Sequence, residues 1–466
     1  MTDLLLRGGT VVTATGSRRA DVAVRGGVIE TVEPDLAGPA ATASEVVDAT
    51  GLLVLPGVVD VHTHTRVATD AEPDRFFQDS VAAAFGGTTT FLAFNRPPSG
   101  RPGEATASLV DDLVGWRRQT DGDAAVDYGL SLVVTGRHRD PVRELPAILD
   151  AGVATAKAFM VYDFRLPDDR LFDVLREMGR RGGMLQVHCE DPVLIDAAVA
   201  AALERGQTAP RYHAETRPAY VEAVATARAM AFARLAEAPV HVVHLSAPGA
   251  LEAVRAAREA GVDAHAETCP HYLALTAERY DEPDPVECAR YVISPPLRTP
   301  RDRDALWTGL ADGTLDLVAT DHVPDRLAVE KAVARDGVPF SDISNGAPGI
   351  ETLLGIVWSE GVATGRLTPE RAVDLLSTSP ARLFGLAAKG AVERGRDADL
   401  VLFDPDARRT MRASELHHTS DYTPYEGFEV RGAVRSVWVR GTPVVRDGAF
   451  VGRRGHGRFV ERAIER

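Results

Sequence analysis

The sequence predicts an α/β fold, a TIM-like (β/α)8 barrel with a small β-sandwich domain built from both chain ends. Both ends alternate apolar and polar residues between Gly-rich turns, as antiparallel strands do. The middle of the chain has short apolar runs separated by Ala-rich stretches with helical spacing, which is typical of βα units around a parallel sheet. At 466 residues the chain has room for one large domain and one smaller domain.

The small domain is predicted to contain residues 1–52 and 388–466. Alternating strand patterns occur at the N-terminus in Gly9-Thr-Val-Val-Thr-Ala14, and they return in 397–404 and 434–445. Because the two ends share this pattern and the residues between them do not, we expect the ends to pair in one β domain.

The barrel domain is predicted to contain residues 53–387. Its clearest helix is 221–235, which is rich in Ala and carries Arg and Glu at helical spacing. Eight apolar runs are predicted to be the barrel strands: 53–62, 88–94, 128–134, 155–162, 184–188, 240–245, 263–268 and 315–320. Eight strand–helix units close a barrel, and catalytic groups gather at the C-terminal ends of barrel strands.

Composition narrows the classes of partner. The formal net charge of −15 disfavours nucleic acid and anionic membrane surfaces, so a small-molecule substrate is expected. The three cysteines have none of the paired spacings of a zinc ribbon or a disulfide framework, which fits a reducing cytoplasm. No secretion signal precedes the first strand, and no apolar stretch reaches the roughly 20 residues that span a bilayer. We therefore expect a cytoplasmic protein.

Six residues lie where strand-like apolar runs end, on predicted strands one, four, five, six and eight. An extended chain turns residues i and i+2 to the same face, so both imidazoles of the His-x-His triplet point into one space. A lone His is more often a core or loop residue, but five strand ends together favour a two-metal site at the barrel mouth. The six residues are His62, His64, Lys157, His188, His244 and Asp321.

Other histidines are not included in this set. His241 begins its strand at odd spacing from His244 and should face elsewhere, and His265 and His271 are also left out. His322 is a secondary candidate for substrate contact, because it follows Asp321 directly.

Lys157 lies in an apolar strand, where burial would lower its pKa and favour the neutral amine. A neutral amine can react with carbon dioxide to give a carbamate, which can bridge two cations. The alternative is a lysine that reaches solvent or pairs with a buried acid. Asp321 is either a turn residue or a carboxylate that binds one metal and transfers a proton.

The sequence resembles the cyclic amidohydrolases of the amidohydrolase superfamily, most closely the hydantoinase/dihydropyrimidinase group. The resemblance covers essentially the whole chain. Its motifs are Pro56-Gly-Val-Val-Asp-Val-His-Thr-His64, Gly86-Gly-Thr-Thr89, Lys157-Ala-Phe-Met-Val-Tyr162, Val187-His188, Val243-His244-Leu-Ser246, Glu267-Thr-Cys-Pro-His-Tyr-Leu273, Tyr291-Val-Ile-Ser-Pro-Pro-Leu-Arg298, Thr320-Asp-His322, Asn345-Gly-Ala-Pro-Gly349 and Asp421-Tyr-Thr-Pro-Tyr-Glu-Gly427.

This resemblance implies two divalent metal ions, usually zinc, and a bridging hydroxide that attacks the carbonyl of a cyclic amide. One ion would be held by His62, His64, Asp321 and carboxylated Lys157, and the other by Lys157, His188 and His244. Asp321 would carry the proton to the departing ring nitrogen.

The resemblance also implies the groups that bind the substrate and the state of assembly. Tyr162 would donate to the developing oxyanion, although a strand-end tyrosine in the core is the alternative. Backbone groups of Ser294 and Asn345 would hold the amide edge of the ring. A homotetramer or homodimer is expected, with the C-terminal segment 417–466 contributing to an interface.

Arg66 and Asn95 bear on the choice of substrate. The pattern His62-Thr-His64-Thr-Arg66 is similar to dihydroorotases, in which that arginine holds a substrate carboxylate, and Asn95 lies near a second carboxylate contact of those enzymes. A surface-facing Arg66 is the alternative. Tyr162, Ser294 and the 421–427 segment instead favour the hydantoinase group.

Three functions follow from these patterns. The first is ring opening of a hydantoin- or dihydropyrimidine-type cyclic amide by a metal-dependent hydrolase that acts on C–N bonds. The second is a dihydroorotase- or allantoinase-like enzyme that uses Arg66. The third is a non-catalytic scaffold paralogue, which the presence of all six ligand residues disfavours. Loops 65–80, 95–104 and 162–170 are expected to set substituent and stereochemical preference.

Overall fold

Two β-sheets organise the chain. The structure, a computed structural model, describes residues 2–38, 43–96 and 108–465. Residues 97–104 of the predicted specificity loop 95–104 lie outside these ranges. In chain order the strands are β1 Leu4–Thr13, β2 Gly16–Arg25, β3 Val28–Glu33, β4 Glu45–Asp48, β5 Leu53–Pro56, β6 Val58–Thr63, β7 Thr88–Phe94, β8 Asp127–Val134, β9 Thr155–Phe159, β10 Met184–His188, β11 Val240–Val242, β12 Ala264–Thr268, β13 Leu317–Val318, β14 Leu400–Thr410, β15 Glu429–Val439, β16 Thr442–Arg446 and β17 Ala449–Phe450.

Strands β6 to β13 form the barrel. They pair in parallel and in chain order, so each strand lies beside the next one along the chain. The barrel closes because Thr63 on β6 forms a parallel bridge with His322, and the His64 N–H donates to the His322 carbonyl at 2.7 Å. The predicted eight-stranded α/β barrel is therefore confirmed.

Helices alternate with these strands. The predicted helix 221–235 lies within Ala219–Ala236, where Ala225, Ala229 and Ala233 are buried against the barrel. The described α-helices are Arg75–Phe85, Leu109–Thr120, Pro141–Asp150, Asp168–Arg180, Pro192–Glu204, Tyr212–Glu215, Ala219–Ala236, Pro248–Glu259, Pro270–Ala274, Pro285–Ala289, Pro300–Asp312, Leu353–Val357, Pro369–Val373 and Ser379–Leu383. None of the helices in the described ranges has the length and apolar character needed to cross a membrane.

The second sheet joins both chain ends, as the sequence predicted. Its order is β17-β16-β15-β14-β5-β1-β2-β3, with β4 paired to β1, which gives nine hydrogen-bonded strands. Most pairs are antiparallel, and β1 is parallel to β4 and β5. Leu6, Val22, Leu400 and Trp438 are buried in its core, so strands from opposite ends of the chain share one set of apolar contacts.

The apolar run 53–62 was predicted as one barrel strand, and this is wrong. The run divides at Gly57: β5 pairs with β1 and β14 in the terminal sheet, and β6 begins the barrel. A Cβ on Gly57 would lie 1.9 Å from Oγ1 of Thr89, so the Thr89 side chain packs against the Gly57 backbone in space that only glycine leaves open. A continuous apolar run contains no periodic signal that would reveal such a division. The proposed domain bounds, 1–52 with 388–466 and 53–387, stay a prediction. Strand β5 falls within the range 53–387, although it pairs in the terminal sheet.

Three barrel strands end earlier than predicted. Strands β9, β11 and β13 end at Phe159, Val242 and Val318. The residues that follow include Tyr162, His244 and Asp321, which have positive φ angles of 76°, 39° and 50°. Such values interrupt an extended chain and are uncommon for residues other than glycine. The backbone therefore turns out of the sheet where it presents side chains at the barrel mouth.

A buried ion cluster joins the two sheets. The Lys389 ammonium lies 2.6 Å from Asp127 on β8, 2.8 Å from Asp397 and 2.8 Å from Asp399. These three carboxylates are close enough to hold a metal ion, but the Lys389 ammonium already pairs with all three, and the Arg440 guanidinium also pairs with Asp127. We therefore interpret the cluster as a structural contact between the sheets.

Candidate active site

The carboxyl ends of the barrel strands open into a cavity of about 980 Å³. A cavity of this size holds a small organic molecule. Most of the predicted site residues line it, and His62 and Lys157 are fully buried. The predicted residues on the cavity wall are His64, Arg66, Asn95, Tyr162, His188, His244, Ser294, Asp321 and Asn345.

His62, His64 and Asp321 form the first ligand group. The Nε2 atoms of His62 and His64 lie 3.0 Å and 3.2 Å from Oδ1 of Asp321. One ligand atom from each residue fits within 4.8 Å of the others. Burial alone would raise the pKa of Asp321, but His62 and His64 hold it well below its usual value. Asp321 is therefore a carboxylate, the form that binds a cation.

His188 and His244 form the second group. Nε2 of His244 lies 2.8 Å from Nδ1 of His188, and both side chains are buried. Burial lowers the pKa of His244 well below its usual value and also lowers that of His188. Both imidazoles are therefore neutral, and neutral imidazole is the form that binds a metal.

Lys157 lies under these two groups. Its side chain is fully buried, and its Nζ has no hydrogen-bond partner among the residues that the structure describes. The rings of Phe94 and Phe159 lie 4.8 Å and 5.1 Å from Nζ. Burial lowers the pKa of Lys157 to about 8, although Asp321 and Glu267 oppose this change. Among the described residues Lys157 forms no close ion pair, and with a pKa of about 8 a minor fraction of the amine is neutral at neutral pH, which fits the prediction that the neutral form is accessible.

The donor set fits two divalent cations. Imidazoles and a carboxylate suit Zn, Mn, Co or Fe, and a site for any of them needs ligand atoms that converge. Here the ligand atoms of two groups converge, and the orphaned Nζ of Lys157 lies in the same buried region. A carbamate on Lys157 would supply the oxygen ligands that four imidazoles and one carboxylate lack.

Glu267 was not predicted as a site residue, yet it contacts three histidines. One carboxylate oxygen contacts Nδ1 of His62 and accepts the His244 N–H at 3.2 Å. The other oxygen lies 2.9 Å from Nε2 of His241, so His241 faces Glu267 and does not line the cavity. Burial alone would raise the pKa of Glu267, but these histidines lower it. The sequence signal that could have identified Glu267 is its position near the end of a buried barrel strand.

Glu190 and Arg217 were also missed. Oε2 of Glu190 lies 2.8 Å from Nε2 of His188 and 2.7 Å from the Arg217 guanidinium. That guanidinium also lies 5.7 Å from the centre of the Tyr162 ring. Neither residue belonged to a recognised motif, and only the folded chain brings them to His188.

Tyr162, Ser294 and Asn345 share one side of the cavity. Burial raises the pKa of Tyr162 to about 12, so the phenol keeps its proton at neutral pH and can donate it in a hydrogen bond. The Ser294 hydroxyl donates to Oδ1 of Asn345 at 3.2 Å. This contact brings together two loops that are separated by 51 residues in sequence.

Arg66 and Asn95 line the cavity, and both side chains also form hydrogen bonds within the chain. The Arg66 guanidinium donates to Glu330 at 2.8 Å and also to Asp325, so it is paired with two carboxylates. Oδ1 of Asn95 accepts the Val133 N–H at 2.7 Å. Their proposed contact with a substrate carboxylate stays a prediction.

The interpretation of His322 as a substrate contact is wrong. Its side chain is fully buried, and Nδ1 accepts the Gly349 N–H at 3.0 Å. The ring is directed toward Gly349 and Asp79, away from the cavity that Asp321 lines.

Comparison with known proteins identifies the family of this chain. The model of the amidohydrolase family matches residues 53–444. A D-hydantoinase from Streptomyces coelicolor is 37% identical, with 98% of each chain covered. The crystal structure of a dihydropyrimidinase from Brevibacillus agri has a TM-score of 0.94 at 39% identity and full coverage of both chains. An L-hydantoinase from Arthrobacter aurescens has a TM-score of 0.90 at 30% identity, with 99% of this chain and 100% of that chain covered. The predicted resemblance is confirmed, and the chain belongs to the amidohydrolase family.

Proposed function

We propose that this chain hydrolyses a cyclic amide, opening a hydantoin- or dihydropyrimidine-type ring to an N-carbamoyl amino acid or a similar product. One observation carries the proposal: six potential ligand residues and a phenol donor line or lie beneath a cavity of about 980 Å³ at the mouth of the barrel. The relatives named hydantoinase and dihydropyrimidinase support this substrate class.

The metal set is part of the same proposal. His62, His64, Asp321 and carboxylated Lys157 would hold one cation, and Lys157, His188 and His244 the other, with zinc as the expected metal. Carboxylation joins the neutral Lys157 amine to the carbon of carbon dioxide and releases one proton, which leaves an anionic carbamate. When bound, divalent cations acidify water and polarise a carbonyl oxygen.

The protein's own groups then have distinct tasks. Ionised Asp321 accepts a proton from the attacking water and delivers it to the ring nitrogen as the C–N bond breaks. The Tyr162 hydroxyl donates to the carbonyl oxygen as negative charge develops there. The backbone of Ser294 and Asn345 holds the amide edge of the ring, which orients its carbonyl toward the ligand residues.

Among the described residues, the contacts of Arg66 give no support to the dihydroorotase-like alternative. Arg66 is paired with Asp325 and Glu330, so recognition of a substrate carboxylate would require this guanidinium to be shared with a third anion.

A second copy of this chain is a further proposed partner, in a homotetramer or homodimer. Light scattering coupled to gel filtration measures that state directly.

A substrate panel with metal analysis tests the proposal. Purified protein should contain close to two metal ions per chain and should open hydantoin or dihydrouracil in preference to allantoin and dihydroorotate. Lys157→Ala should lose both metal and activity. Lys389→Ala is the matched control, since it removes another buried lysine that pairs with Asp127 and Asp399 away from the cavity. A fully active Lys157→Ala variant would disprove the metal centre.

A further inference from the structure

Lys331 is a buried cation that the proposed chemistry does not use. Its side chain is fully buried, and its Nζ donates to the carbonyl of Val292 at 3.1 Å and to the carbonyl of Ser344 at 2.5 Å. Val292 lies two residues before Ser294, and Ser344 directly precedes Asn345. One ammonium therefore joins the two chain segments that carry the proposed ring-binding groups.

Two hydrogen bonds between described residues also join these segments directly. The Gly346 N–H donates to the Val292 carbonyl at 3.0 Å, the same oxygen that accepts from Lys331. The Ser294 hydroxyl donates to Asn345. Charge-assisted hydrogen bonds are about twice as strong as neutral ones, so we expect the two bonds from the ammonium to hold the segments together more firmly than these neutral bonds.

The same lysine is linked to the metal-ligand loop. Its Nζ lies 3.6 Å from Oδ2 of Asp325, which is also fully buried. The other carboxylate oxygen of Asp325 contacts the guanidinium of Arg66, two residues after His64. A continuous chain of charged groups thus runs from the His64 loop through Asp325 to the carbonyls beside Ser294 and Asn345.

The burial of this chain of charges has an energetic cost. Desolvation lowers the pKa of Lys331 to about 8, and Asp325 opposes that change, so the ammonium persists at neutral pH. An apolar side chain would fill this interior position without that penalty. The apolar residues beside it, such as Val292, Ala334 and Ile343, already form a small core, so packing alone does not require a cation here.

We propose that Lys331 is a positioning residue that sets the spacing between the Ser294 and Asn345 loops and fixes both relative to the metal-ligand loop. This inference rests on the proposed ring-opening function. Loss of the ammonium would let the two loops separate, so the ring would bind less tightly and less often in the reactive orientation. The ligand residues would stay in place, because Lys331 contacts none of them.

Steady-state kinetics with hydantoin and dihydrouracil test the proposal on the metal-loaded protein. Lys331→Met keeps most of the length of the side chain and removes its donors. We expect its KM to rise about tenfold or more, its kcat to fall by a smaller factor, and its metal content to equal that of the wild type. Lys331→Gln keeps an uncharged amide NH2 group as a donor, and its KM should lie between the KM values of the wild type and Lys331→Met.

Lys389→Met is the matched control. It also breaks a buried ion cluster and lowers stability, but it lies between the two sheets and away from the loops. Its KM should stay within twofold of the wild-type value. If the methionine variant of Lys331 does not fold, Lys331→Gln and Asp325→Asn supply the same comparison, and both should raise KM.

Two outcomes would overturn the proposal. One is a folded Lys331 variant with wild-type KM, and the other is a Lys389→Met variant whose KM rises as much as that of Lys331→Met. The wild type is measured first, so that the two proposals are tested separately. A metal-loaded wild type that opens no ring would overturn the proposed function, and wild-type turnover with an unchanged variant KM would overturn the role of Lys331 alone.

Discussion

Nδ1 of His188 and Nε2 of His244 lie 2.8 Å apart, with the two buried rings at 76° to each other. The His188 Nε2 faces the Glu190 carboxylate, so it carries the ring proton and leaves Nδ1 as a lone pair. A neutral imidazole offers one such lone pair, and a carboxylate beside the opposite nitrogen selects which nitrogen keeps the proton. Glu190 behind His188 and Glu267 behind His62 thus favour one tautomer of each of these two rings.

Glu267→Gln should weaken metal binding. Glu267 contacts Nδ1 of His62 and the backbone of His244, and partners of this kind typically contribute about 10- to 100-fold to metal affinity. Competition with a chelator, followed by metal analysis, measures the loss. Glu222→Gln is the matched control, because that buried carboxylate bonds to Ser246 and Arg298 and to none of the six ligands. Equal metal affinity in the two variants would contradict the orienting role.

Tyr162→Phe should lower kcat/KM for ring opening by about 100-fold or more, which is typical when one oxyanion donor is removed. The phenol lines the cavity, and its pKa is raised to about 12, so it is a donor throughout the neutral range. Metal content should not change. Tyr220→Phe, at a tyrosine that is 60% exposed, serves as the control. If Tyr162→Phe had wild-type kinetics, Tyr162 would be a packing residue and not an oxyanion donor.

Arg66→Met tests the choice of substrate. Since the guanidinium is already paired with Asp325 and Glu330, we expect kcat/KM for hydantoin to change by less than about tenfold. Arg75→Met is a suitable control, because Arg75 also lines the cavity and pairs with Glu72. The dihydroorotase-like alternative would be supported if the wild type turned over only rings that carry a carboxylate and if Arg66→Met abolished that activity.

Buried histidines should make the protein less stable in mild acid. Burial lowers the pKa of His213 to about 3, whereas an unfolded histidine titrates near 6.5. A lowered folded-state pKa means that the unfolded chain binds the proton first, so stability is complete above 6.5 and is lost as the pH falls toward 3. For this one histidine the loss is about 2 kcal/mol at pH 5.

Urea unfolding at pH 7, 6 and 5 measures this effect. His213→Gln keeps a donor for the Ile293 carbonyl, which now accepts from Nε2 at 2.8 Å, and it removes the titrating group. The free energy of unfolding of this variant should therefore fall less steeply with pH than that of the wild type. Parallel slopes in the two proteins would contradict the prediction.

Much of the barrel and the ligand set followed from local sequence signals. Each of His62, His188 and Asp321 lies at or just after the end of an apolar run, and the carboxyl ends of parallel strands meet at one edge of the sheet. Lys157 was predicted to be buried because it lies inside such an apolar run. These residues could be found because strand periodicity and strand ends are properties of a few consecutive residues.

Other features depended on residues that are far apart in sequence. Gly57, where the apolar run divides, packs against the Thr89 side chain, and the residues with positive φ angles, Tyr162, His244 and Asp321, lie just beyond the ends of their strands. No short-range pattern indicates either feature, because the surrounding structure imposes them.

The sequence by itself determined the fold class, the two-sheet arrangement and the type of chemistry that the six ligand residues can perform. The tertiary structure decided which charges are paired. Glu267 lies 205 residues from His62, and Asp325 lies 259 residues from Arg66, yet these contacts orient a ligand and occupy the guanidinium. Lys331 acquires its role in the same way, from two carbonyls on separate loops. Whether a buried charge is paired depends on distances between strands and loops, and those distances exist only once the barrel has closed.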